Sequence, residues 1–118
     1  MATETPREAF RRQLAAMREE YARQLGERLR ELRELLGRLE RESWADDTLQ
    51  TLHRRAHSLS GSAATFGLAA VSDAARGLEG ILREAVEGTR KRGTATVAEL
   101  ASRLRWLNEA AATVAVPA

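Results

Sequence analysis

The only two histidines of the chain, His53 and His57, stand four residues apart, and small or hydroxylated side chains follow the second: Ser58, Ser60, Gly61, Ser62, Ala63 and Ala64. Imidazole has an unperturbed pKa of about 6.5, so a large share is neutral near pH 7 and able to act as a nucleophile. On a helix advancing about 100° per residue, Leu49, Leu52, Ala56, Leu59, Ala63 and Phe66 recur at alternating steps of three and four and form one apolar seam. His57 projects roughly 130° from the middle of that seam, above Ser60 and Gly61 one turn on and Ala64 two turns on. A glycine inside a helix costs about 1 kcal/mol relative to alanine, so Gly61 calls for a reason. A shallow depression, in which another protein's surface could come close to the imidazole, supplies one.

Other chemistries fit less well. His53 and His57 have the spacing of two zinc ligands on one helix face, but a zinc protease would want glutamate where Arg54 stands, and Arg54 with Arg55 would repel a dication. No metal site is expected. Asp46 and Asp47 suit the positive end of a helix dipole and do not need a catalytic explanation. No phosphate-binding glycine loop of the GxxxxGK[ST] type, kinase-like glycine loop, or DFG or HRD motif occurs, so neither autokinase activity nor ATP or another cofactor is expected.

From residue 57 the chain reads His57-Ser58-Leu59-Ser60-Gly61-Ser62-Ala63 and then Gly67, which resembles the HxLKGSAxxxG core of the histidine phosphotransfer (HPt) domains of bacterial phosphorelays. The residues from Ala69 to Ala85 look like that family's next helix, and the resemblance runs over roughly residues 8–113. One position departs from it. The family usually has a lysine three residues after the histidine, helping to hold the phosphoryl group, where this chain has Ser60. Serine can donate a hydrogen bond but carries no charge, so the charge role is unfilled or passes to a nearby cation such as Arg54. The resemblance implies a phosphorelay intermediate that accepts a phosphoryl group on His57 from a receiver-domain aspartyl phosphate and passes it to another receiver domain. Its partners would be response-regulator receiver domains, with a hybrid sensor kinase as a further candidate. Ser60, Gly61, Ala64, Arg54 and His53 would form the docking face around His57. The alternative is a helical scaffold that binds receiver or kinase domains and is never phosphorylated, and the serine at position 60 is what favours it.

The elements that must position His57 read as helices throughout. Thr5-Pro6-Arg7-Glu8 has the form of a capped helix start, and Phe10, Leu14, Met17, Tyr21, Leu25, Leu29, Leu32, Leu36 and Leu39 then carry an apolar stripe as far as Glu40. Gly26 sits near its middle and predicts a bend or break around residues 23–27, giving an additional N-terminal helix lying across the bundle. A continuous coiled-coil helix is the competing reading. Its outer face offers the pairs Glu8 with Arg12, Glu19 with Arg23 and Glu34 with Arg38. Ser43 is the expected cap of the helix carrying His57, which should end at Gly67. A third helix is expected over about residues 69–87, with Val71, Ala75, Leu78, Leu82 and Ala85 inward and Ala69, Ala70, Ala74 and Ala75 allowing close packing near the histidine. The basic turn of residues 88–93 is more readily a solvated loop than an anion site. A capping box at Thr96 to Glu99 opens the last helix, whose inner face is Val97, Leu100, Leu104, Leu107 and Ala111.

The expected architecture is therefore all-α: an antiparallel up-down four-helix bundle with an additional N-terminal helix, spanning residues 6–114 between a flexible 1–5 and a frayed 115–118. With 118 residues, 43% hydrophobic and 31% charged, the chain has the composition of one globular, soluble domain. Lys and Arg number 19 against 17 Asp and Glu, a net charge of only +2. The pI of 9.9 thus reflects arginine's high pKa, not a basic surface for nucleic acid. The absence of cysteine, of a membrane-spanning run and of a hydrophobic leader makes a cytoplasmic location the expectation. A first helix that covers its own bundle would leave a monomer.

Overall fold

The computed structural model describes residues 3–114, and the expected frayed segment 115–118, with residues 1 and 2, lies outside them. Four helices follow one another: α1 (Pro6–Arg41), α2 (Asp46–Thr65), α3 (Ala69–Glu87) and α4 (Thr94–Ala112). No strand occurs among the described residues. Each helix packs on its two neighbours in a closed ring, α1 on α2, α2 on α3, α3 on α4 and α4 on α1.

Helix α2 runs antiparallel to both α1 and α3, as the cross-links between them show. Tyr21 stacks on Phe66 while Glu31, further along α1, pairs with Arg55, earlier in α2. Ser72 bonds the main chain of Ser60, and Glu79 reaches back to His57 and His53. The core is almost all leucine and alanine, with Leu39, Leu49, Leu82, Leu100 and Leu107 wholly buried. The third helix keeps all five of its expected inward residues. In α4, Leu100, Leu104 and Leu107 are buried, while Val97 and Ala111 are only partly covered.

The expected break near Gly26 is absent: α1 is one helix of 36 residues, and among the described residues there is no additional N-terminal helix. Glycine keeps its backbone N–H, so the hydrogen-bond ladder runs on, and a cost of about 1 kcal/mol is smaller than the burial of Leu25 and Leu29 on either side. At a rise of 1.5 Å per residue α1 is about 54 Å long, against about 30 Å for each of the others. Its first turns therefore project beyond the bundle, and the molecule as a whole measures 64 × 26 × 20 Å. The apolar stripe continues into this overhang with nothing to cover it: Phe10 is 65% and Met17 55% exposed. The first helix thus covers its own bundle only from Tyr21 onward.

Several local expectations are also corrected. Thr5 does cap α1, its hydroxyl accepting from the Glu8 amide at 3.1 Å. Ser43 does not cap α2. Ser43 and Trp44 both take left-handed backbone, with φ of 51° and 64°, and α2 begins behind Ala45 without a side-chain cap. Burial of the Trp44 indole and the Thr48 hydroxyl bond to Glu42 at 2.7 Å hold that turn instead. Helix α4 begins two residues before Thr96, which is buried and donates to the Lys91 carbonyl at 2.6 Å. On the surface of α1 the arginines choose other partners than those expected, Arg12 with Glu4, Arg23 with Glu20 and Arg38 with Glu42.

Candidate functional site

His57 lies past the middle of α2, two turns before the helix ends in a glycine cap. There the Leu68 amide bonds the Ala63 carbonyl at 2.8 Å and the Gly67 amide bonds that of Ala64 at 3.0 Å. Gly67 has a φ of +75°, the left-handed conformation such a cap requires, so the chain turns at once into α3 and brings that helix alongside the histidine. Two serines tie the neighbours in place. Ser62 shares a 2.7 Å hydrogen bond with the Tyr21 hydroxyl of α1, and Ser72 of α3 donates to the Ser60 carbonyl at 2.8 Å.

The imidazole of His57 stands in the open, its side chain 72% exposed. Its Nδ1 is 3.3 Å from the Oε1 of Glu79, a carboxylate on α3 whose side chain is only 4% exposed. A carboxylate on Nδ1 fixes the tautomer with the proton there and leaves the lone pair on Nε2, the nitrogen on the far side of the ring. Arg83, one turn on, donates to the same Glu79 oxygen. Burial pushes the Glu79 carboxyl up, but the hydrogen bond and charge of Arg83, with the His57 hydrogen bond, outweigh it and hold the group below the usual carboxylate range. Glu79 is thus an anion that is buried yet paired, and the ring bonded to it is held in one orientation.

The expected site residues separate into those that join this face and those that do not. Gly61 and Ala64 are exposed on the same side of α2, and a side-chain carbon built on Gly61 would meet nothing within 4 Å. Arg54 is exposed one turn before His57 and donates to the Thr51 hydroxyl at 3.3 Å. Ser60 does not belong to the open face. It is buried, and its hydroxyl is spent on the His57 carbonyl at 2.9 Å, so the reading of Ser60 as a donor to a phosphoryl group gives way to a structural one. His53 is also set back, only 22% exposed. Its Nε2 lies 3.4 Å from Glu79 Oε1 but is buried without a hydrogen bond.

Among the described residues no group of three or more His, Cys, Asp or Glu is placed to hold a metal ion, and no helix is long and apolar enough to cross a membrane. The basic turn is committed elsewhere: Arg90 pairs with Glu84 and Glu99, and Arg92 donates to the Ala85 carbonyl. Of the four alanines expected to line the packing near the histidine, Ala74 and Ala75 are buried and Ala69 and Ala70 are exposed.

Sequence reasoning misses Glu79 and Arg83. Two signals for them are present: an acidic residue inside the seam of Ala75, Leu78 and Leu82, and an arginine four residues after it. Together these features define an all-helical bundle that holds one imidazole outward on a buried carboxylate. The family model of the Hpt domain matches residues 12–114, and the chain belongs to that family. Hpt domains are phosphocarrier modules of phosphorelays and interact with the receiver domains of response regulators. No curated protein and no solved structure matches the chain.

Proposed function

We propose that this protein is a phosphorelay intermediate whose His57 takes a phosphoryl group from the aspartyl phosphate of one receiver domain and hands it to another. The observation that carries the reading is the His57 ring, open to solvent, with Nδ1 held by the buried Glu79 carboxylate. The Nε2 lone pair attacks phosphorus, the bond from phosphorus to the aspartyl oxygen breaks, and that oxygen keeps the electron pair as carboxylate. The Nδ1 proton stays where Glu79 holds it. The reverse sequence of bonds passes the group on. Phosphoryl transfer needs chiefly positioning and charge stabilisation, so a passive bundle that presents an oriented nucleophile suffices while the receiver brings the rest.

Docking fits the small residues beside the ring. Gly61 and Ala64 leave room for a receiver's surface to settle against α2, and Arg54 stands at the edge of that face with its charge exposed. The protein would work in the cytoplasm, where receiver domains operate, and as a single copy. Incubation with a receiver domain phosphorylated on aspartate tests this: label is expected on the wild type and none on His57→Gln. If several receivers label neither protein while still binding the bundle, the scaffold reading replaces the carrier.

A further inference from the structure

The serine at position 60 raises the question of which cation faces the phosphoryl group. Ser60 is uncharged, buried and already bonded to the His57 carbonyl, so it cannot supply one. Arg55 is turned to the α1 side, paired with Glu31 at 2.7 Å. Arg54 is bonded to Thr51, a turn before His57. Arg83 differs from all of these. It comes from α3, its side chain is 53% exposed, and it donates through Nη2 to the same Glu79 oxygen that lies 3.3 Å from His57 Nδ1. Its guanidinium is therefore separated from the ring by no more than two hydrogen-bond lengths. Glu87, a turn further along α3, is the other acidic group acting on it.

Resting on the carrier reading, we propose that Arg83 is the phosphoryl-binding cation of this site, reaching from α3 to pair with the phosphoryl oxygens on His57 Nε2. A guanidinium has five N–H donors in a fixed fork, so one can stay on Glu79 while others take phosphoryl oxygens. An arginine is better suited to this than lysine, since its planar fork matches the geometry of two phosphoryl oxygens. Charge has thus moved from the histidine's own helix to the neighbouring one, and Glu79 serves as the shared anchor that keeps ring and guanidinium in register.

The test begins with phosphoramidate, a small donor that needs no receiver: Nε2 bonds to phosphorus, the phosphorus–nitrogen bond breaks, and ammonia leaves. The second ionisation of the phosphohistidine is followed by phosphorus NMR against pH, and its phosphoryl group is then equilibrated with a receiver domain. In Arg83→Gln the ionisation should move to higher pH, and the ratio of phosphoryl group on His57 to that on the receiver should fall about tenfold, the weight of one charge-assisted hydrogen bond. Arg83→Lys should lie between that variant and the wild type, and thermal unfolding of all three proteins guards against a folding defect. Arg83→Gln matching the wild type in both measurements would overturn the proposal while leaving His57 as the carrier. An equal shift in Arg54→Gln would assign the charge to Arg54 and overturn it too. A wild type that takes no label from phosphoramidate or from receivers would sink the carrier reading, and this proposal with it.

Discussion

His53 and His57 are one helical turn apart and lean toward the same carboxylate oxygen, yet they live in different surroundings. The first is wedged between helices, with Nε2 shut away from water and bonded to nothing. The second has one nitrogen bonded to Glu79 and most of its ring in solvent. A single helix step therefore separates an imidazole that can meet another protein from one that cannot. Residue type alone does not set what an imidazole can meet; access does, together with what holds the opposite nitrogen.

The sharpest way to break that contrast is His57→Gln. With His53 left in place, labelling by a phosphorylated receiver should vanish entirely, and any residual phosphohistidine on this variant would mean that His53 is reachable after all. Gly61→Arg comes next. It puts a long charged chain into open space beside His57 and away from the core, so receiver-to-histidine transfer should fall by more than about tenfold, given the cost of placing an unpaired charge in an interface. Labelling by phosphoramidate and the melting temperature should stay near wild type. Glu79→Gln acts on the anchor common to both rings. It should slow transfer about tenfold, the weight of a hydrogen bond to a charged group, as followed by the initial rate of labelling. Its effect on stability carries a sign. The folded Glu79 pKa is depressed, so its contribution is fully present above the unfolded carboxylate value of about 4.5 and fades as pH falls through the folded one. Denaturation curves taken from pH 7 down to pH 3 should show a smaller acid loss in the variant. The smallest effect belongs to His53→Gln, expected to change the labelling rate less than about twofold, since it touches the anchor without a hydrogen bond. A larger loss would make His53 part of the machinery.

Much of the site is legible in the amino-acid sequence because its logic is rotational. A seam of Leu49, Leu52, Ala56, Leu59 and Ala63 fixes which way α2 faces, and His57 follows from it. The same rotation argues against Ser60: three residues on swings back about 60° toward the seam, which is where its side chain is buried. Glu79 and Arg83 are not legible in that way. The α3 periodicity turns Glu79 inward, but which side chain it meets depends on how α3 lies across α2, a matter of the turn at Gly67 and of the small buried Ala74 and Ala75, and no periodicity within one helix encodes that. The break expected at Gly26 fails for the opposite reason: it weighs a local propensity without the leucines on either side that override it.

The overhang of α1 sets a gradient along one continuous helix. From Tyr21 to Leu39 its inner face is clamped by the rest of the molecule, whereas the turns before Met17 rely on their own hydrogen bonds, the Thr5 cap and the Glu4–Arg12 pair. A helix segment that short is marginal by itself in water. Its amide hydrogens should exchange with solvent in a graded series rising toward Thr5, while those of the histidine-bearing helix open only with the whole bundle. The N-terminal end can thus wind and unwind without disturbing the imidazole.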